Sequence, residues 1–217
     1  TTPEYVGPAP CIGCHQAFTP EVEKGMMDSI HGKVLFEENR PAEMLGCEAC
    51  HGPGSPHAYE KAGTLTPGSM GIDPKAPDPL QNYINWPGKL DGANPESGIV
   101  NPRKLKPEKV TQVCMKCHWQ GVHKQNWLLG KHAKAGLTCT NCHNPHKATQ
   151  NERMLLKPTT NELCLNCHQD QQHRFKLTSH HPVLEGRLKC TDCHNPHGSG
   201  NERLQKKAGS ELCLSCH

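Results

Sequence analysis

Cys139-Thr-Asn-Cys142-His143-Asn-Pro-His146 recurs as Cys190-Thr-Asp-Cys193-His194-Asn-Pro-His197, identical at seven of eight positions. Each copy begins with Cys-x-x-Cys-His, and that pentapeptide occurs seven times, using all 14 cysteines of the 217-residue chain. The other five are Cys11-Ile-Gly-Cys14-His15, Cys47-Glu-Ala-Cys50-His51, Cys114-Met-Lys-Cys117-His118, Cys164-Leu-Asn-Cys167-His168 and Cys213-Leu-Ser-Cys216-His217. The spacing is the attachment signature of c-type haem. Two thiols add to the porphyrin vinyl groups, and the adjacent imidazole reaches the iron from one face. The count predicts seven covalently attached haems c. All 14 cysteines are expected as thioethers, with His15, His51, His118, His143, His168, His194 and His217 as proximal ligands.

Zinc and disulfides are the rival uses of such cysteines. Zinc sites built from Cys-x-x-Cys pairs do not require histidine directly after the second thiol. With 16 histidines in the chain, chance would place one after all seven pairs with a probability of roughly one in a hundred million. A disulfide framework spreads its cysteines at varied spacings to staple distant loops, and has no need of seven identical pairs. Haem is the reading that uses every element of the motif.

Only 34% of the residues are hydrophobic, with three each of Trp, Tyr and Phe. Ordinary globular domains carry roughly 45–50% apolar residues. A core this thin needs covalent or metal staples, and seven apolar porphyrin plates supply them. The apoprotein is therefore expected not to fold. The formal charge of +3 also changes sign on loading, because two propionates and one ferric core per haem take the oxidised holoprotein to about −4. Full reduction would take it to about −11 if no protons follow. The basic polypeptide is thus no argument for nucleic acid, and its scattered lysines and arginines read as solvated surface. No stretch approaches the ~18–20 apolar residues of a membrane helix. The chain opens Thr1-Thr2-Pro3-Glu4, without the charged and apolar runs of a leader. Since haem is attached covalently outside the cytoplasm, the expected location is extracytoplasmic, with a signal peptide already removed.

The repeat unit holds two haems. First cysteines recur about fifty residues apart at Cys114, Cys164 and Cys213, and between them at Cys139 and Cys190. Each unit reads as motif, lone histidine, motif, lone histidine. The units run His15, His31, His51, His57; then His118, His132, His143, His146; then His168, His181, His194, His197; and the last begins at His217. The expected organisation is a first unit over 1–58, a haem-free insertion over 59–106, units over 107–150 and 151–200, and a half unit over 201–217. The insertion carries seven prolines from Pro67 to Pro102, with Pro107 just outside. A loop of that length covers haem edges or contacts a partner or subunit. Elsewhere the expectation is mostly irregular chain with short α-helices, little or no β structure, and haems in an elongated row. Thr19-Pro20 should start a helix that runs to about Ser29 and delivers His31. Pro107 should open a helix into the Cys114 motif, and Thr159-x-x-Glu162 resembles a capping box.

A haem iron with one histidine keeps an open face, whereas two histidines close it and suit it to moving electrons. Six histidines outside the motifs recur in register and are the expected distal ligands: His31, His57, His132, His146, His181 and His197. His123, His173 and His180 are left as candidates for the seventh iron, at Cys213. None of the six methionines stands at a repeated station.

Beyond the motifs, Ile30-His31-Gly32-Lys33, Cys47-Glu-Ala-Cys50-His51-Gly-Pro-Gly, Ser179-His180-His181-Pro182 and Cys193-His194-Asn-Pro-His197-Gly-Ser stand out. Through them the chain resembles the multihaem cytochromes c of metal-reducing and sulfur- or nitrogen-respiring bacteria. Among those it resembles the decahaem cytochromes set inside an outer-membrane porin. The resemblance covers most of the chain outside 59–106 and implies a haem wire working across or beyond the outer membrane. The unfinished last unit also resembles extracellular cytochrome filaments, in which the next subunit supplies a ligand. Redox proteins, a porin assembly or further copies of the chain are the partners this implies. The expected function is electron transfer without a catalytic residue of its own. The alternative is a multihaem reductase of a small nitrogen or sulfur compound at one open haem.

Overall fold

The computed structural model describes residues 4–54, 101–102, 105–122, 124–147 and 153–217. His57, His123 and most of the 59–106 insertion lie outside those residues. Eleven short α-helices are described: α1 Pro8–Phe18, α2 Pro20–Met27, α3 Ile30–Leu35, α4 Glu48–His51, α5 Pro107–His118, α6 Lys124–Leu129, α7 Lys131–Lys134, α8 Thr160–Leu165, α9 Gln169–Arg174, α10 Cys190–Cys193 and α11 Ser210–Cys213. Single 3-10 turns cover Ala42–Met44, Cys139–Asn141 and Glu202–Leu204. Among the described residues there is no strand, only two isolated antiparallel bridges, His143 with Leu155 and His194 with Gln205. Short helices and irregular chain are thus the fold.

Local chemistry explains where the helices start and stop. Proline opens α1, α2 and α5, where its missing N–H costs nothing and its fixed φ suits the first turn. At α8 the Thr159 hydroxyl accepts from Glu162 N at 3.1 Å, and Thr159 N donates back to Glu162 Oε2 at 3.0 Å. That reciprocal pair is the expected capping box. The helix begun at Pro20 differs from expectation, because it ends at Met27. Ser29 then starts a separate helix, its hydroxyl accepting from Gly32 N at 3.1 Å. His31 consequently sits in the first turn of α3 and not in a loop beyond α2.

The chain divides into two compact units. One comprises residues 1–113 with 145–148, and the other 114–144 with 149–217. Side chains alone give neither unit much interior. The buried hydrophobic residues among those described are Leu35, Ala49 and Val110 in the first unit, and Met115, Trp127, Leu155 and Val183 in the second. No helix among the described residues is long and apolar enough to cross a membrane.

Candidate haem sites

Every Cys-x-x-Cys-His motif is a single helical turn. The histidine amide donates to the carbonyl of the first cysteine at 3.0 Å in the second motif (His51) and at 2.9 Å in the fourth (His143). His168, His194 and His217 repeat it at 3.0, 2.9 and 3.0 Å. The first and third motifs lie within α1 and α5. A turn of 3.6 residues brings positions i, i+3 and i+4 to one side. Both thiols and the imidazole therefore address one porphyrin.

First cysteines of the two motifs in a repeat unit also meet. Cys11 hydrogen-bonds Cys47, Cys114 hydrogen-bonds Cys139, and Cys164 hydrogen-bonds Cys190. These sulfurs become thioethers on haem attachment and then carry no proton, so the contacts show proximity: the attachment points of paired haems lie side by side in three repeat units.

The imidazoles meet in twos. His51 faces His146 with ring centres 5.7 Å apart and planes at 5°. His143 faces His197 at 6.1 Å and 27°. His132 lies 6.1 Å from His168 at 53°, and His181 lies 6.1 Å from His217 at 51°. Two imidazoles on opposite faces of a metal, each nitrogen at roughly 2 Å, put their ring centres about 6 Å apart. The four ring pairs have about that spacing.

Second contacts fix which nitrogen is offered. His143 Nδ1 bonds the Arg153 carbonyl at 2.8 Å, and His194 Nδ1 bonds the Arg203 carbonyl at 2.9 Å. His132 Nδ1 bonds the Pro196 carbonyl at 2.9 Å, and His31 Nδ1 bonds that of Pro145 at 3.4 Å. An Nδ1–H donated to a carbonyl leaves Nε2 as the lone-pair nitrogen, the usual arrangement for a metal-bound histidine. The repeat is visible here in three dimensions. Arg153 and Arg203 come from the repeated Asn-Glu-Arg tracts, and Pro145 and Pro196 from the repeated Asn-Pro-His turns.

Those turns are packed closely. A Cβ on Gly25 in α2 would overlap the carbonyl of His146. A Cβ on Gly198 would overlap the backbone of Asn126, and Gly198 has φ +116°. Trp127, buried, meets the His197 ring edge-on at 6.3 Å. Ile30, Leu129, Leu177 and Leu214 are exposed on the polypeptide beside histidines or a motif, where a porphyrin face suits them. His180 is engaged at both nitrogens, Nδ1 by the Leu177 carbonyl and Nε2 by Glu185 Oε1 at 3.0 Å. The Glu185 carboxylate raises His180 above its ordinary value. His173 lies exposed in α9.

Sequence reasoning named the histidines but passed over Glu48, Asn161 and Gly25. Asn161 takes Cys190 N at 2.9 Å on its oxygen and donates to the Val183 and Leu188 carbonyls at 2.9 and 2.8 Å. It ties the fifth motif to the sixth. Its only signal in the sequence is its position three residues before Cys164.

Covalent motifs in helical turns, with imidazoles paired across the width of one iron, define a multihaem c-type cytochrome. The chain belongs to that class, with Cys-x-x-Cys-His motifs of the kind that bind haem c. It matches the family described as the doubled CXXCH motif over residues 131–173 and 180–217. It matches the family of cytochrome c554 and c-prime over residues 93–144. It is 31% identical over 208 residues to the multihaem cytochrome MtrA of Shewanella baltica (strain OS185), covering 95% of this chain and 51% of that relative. The chain thus spans about half the length of the relative it matches.

Proposed function

We propose that the chain carries seven haems c and conducts electrons along them, each iron closed by two histidines given by different repeat units. The carrying observation is the set of four ring pairs at 5.7–6.1 Å. They obey one register. The first lone histidine of a unit serves the first iron of the following unit, as His132 does for His168 and His181 for His217. The second lone histidine serves the second iron of the preceding unit, as His146 does for His51 and His197 for His143. Extended by one station, the register makes His31 a first lone histidine of the same kind. It gives the irons of His15 and His194, together with His57, to adjoining repeats.

The assembly proposed for the chain is with redox partner proteins, further copies of the chain or an outer-membrane porin. The location proposed is extracytoplasmic, where covalent haem attachment takes place. The protein's part is to scaffold and tune, the electron chemistry belonging to the haem. A reductase would have to act at the His15 or His194 iron.

Pyridine haemochrome and mass spectrometry on the mature protein should give seven haems. Reductive titration should consume seven electrons per chain, and the reduced protein should pass them to a ferric chelate without turning over nitrite or hydroxylamine. Steady turnover of either compound would overturn the reading.

A further inference from the structure

Glu48 is fully buried, yet it lies inside a haem motif where the other six motifs carry Ile12, Met115, Thr140, Leu165, Thr191 and Leu214. Its carboxylate takes three backbone amides. Val6 N reaches both oxygens at 3.1 Å, Gly7 N reaches Oε2 at 2.7 Å, and Gly54 N reaches Oε1 at 2.6 Å. All three partners are donors, the setting of an ionised carboxylate, which only accepts. Gly7 immediately precedes α1, the helix that holds the Cys11 motif. Gly54 follows the Cys47 motif, and Glu48 itself lies between that motif's cysteines. Glu48 directly follows Cys47, and Gly7, whose amide it holds, also takes Cys11 Sγ on its carbonyl at 3.7 Å, so the carboxylate lies close to the attachment points of both haems.

We propose that Glu48 is a positioning residue for the first haem pair: it locks the two motifs together and holds both irons at a lower reduction potential than an uncharged tie would. When a ferric haem accepts one electron from a reductant, its core goes from +1 to neutral. A fixed negative charge nearby stabilises the ferric side of that step, most strongly where water is excluded. The third unit makes the equivalent tie with neutral Asn161. The haems of the first unit are therefore the harder ones to reduce, and the wire has a built-in polarity.

This inference rests on His51 and His146 binding one iron, and the test separates the two. Near-parallel imidazole planes give a rhombic low-spin resonance, while strongly twisted planes give a large-g signal. The pairs at 5° and 27° are thus distinguishable from those at 51° and 53°, and of the two near-parallel pairs only the one at 5° lies in the Glu48 motif. In a mediated redox titration of the full holoprotein followed by electron paramagnetic resonance, Glu48→Gln should load seven haems and move a rhombic component to higher potential. The large-g signals should not move, and Glu48→Asp should restore the rhombic midpoint. Val6→Pro removes one amide from an intact carboxylate and should move the same midpoint the other way, which keeps the test alive if Glu48→Gln fails to mature. Unmoved midpoints in loaded Glu48→Gln or Val6→Pro would overturn the role of Glu48. Absence of any rhombic component in the wild type would overturn the ligand pairing instead.

Discussion

His146 is fifty or more residues from the turns it packs against, and what seats it is the absence of a side chain at Gly25. A methyl there would overlap the His146 carbonyl, which sits on backbone and has little room to yield. Gly25→Ala should therefore push His146 off the His51 iron, although alanine favours the helix by about 1 kcal/mol over glycine. The expected result is one more high-spin haem per chain in the ferric spectrum than in the unmutated protein, with haem loading unchanged; an unchanged spectrum would count against the packing. At this scale the sequence was informative about identity and silent about partnership. The proximal histidines follow from covalent spacing, and the lone ones stand out by their recurrence. Which lone histidine meets which motif is set by contacts across the repeat, and no local spacing records that.

Helices in this protein are short because each serves to present a motif. One turn suffices to bring two thiols and an imidazole to one porphyrin, and prolines and hydroxyl caps mark the starts in readable form. Pro107 and the Thr159–Glu162 box stand where the sequence places them. Between Pro20 and His31 the structure departs from the expectation of one helix, because the Ser29 hydroxyl begins a new one. Both Ser29 and Thr159 can end a helix or begin one, and only the direction of the hydrogen bond decides. Thr159→Ala removes the reciprocal cap of α8 and should cost about 1 kcal/mol of stability. Urea unfolding of the holoprotein followed by circular dichroism would read that loss, and an unchanged midpoint would show that haem ligation alone holds α8.

For the molecule as a whole, the described side chains bury little, and in the proposed reading the ligands reach from one repeat into the next. Composition made the first point legible, since 34% hydrophobic residues cannot fill an interior for 217. The second was hidden, because a repeat seen in sequence suggests self-contained units. Polypeptide made without haem attachment should show no near-ultraviolet dichroism and no cooperative melting; a sharp thermal transition in that material would refute the claim. The central claim is that irons are closed by histidines from neighbouring units, and the Cys213 haem tests it most directly. His181 and His180 are adjacent, yet His181 faces His217 at 6.1 Å while His180 is engaged by Leu177 and Glu185. Electron paramagnetic resonance of ferric His181→Ala should show one more high-spin haem per chain than the unmutated protein, and His180→Ala should show no more. An added high-spin haem in His180→Ala, or none added in His181→Ala, would contradict the account.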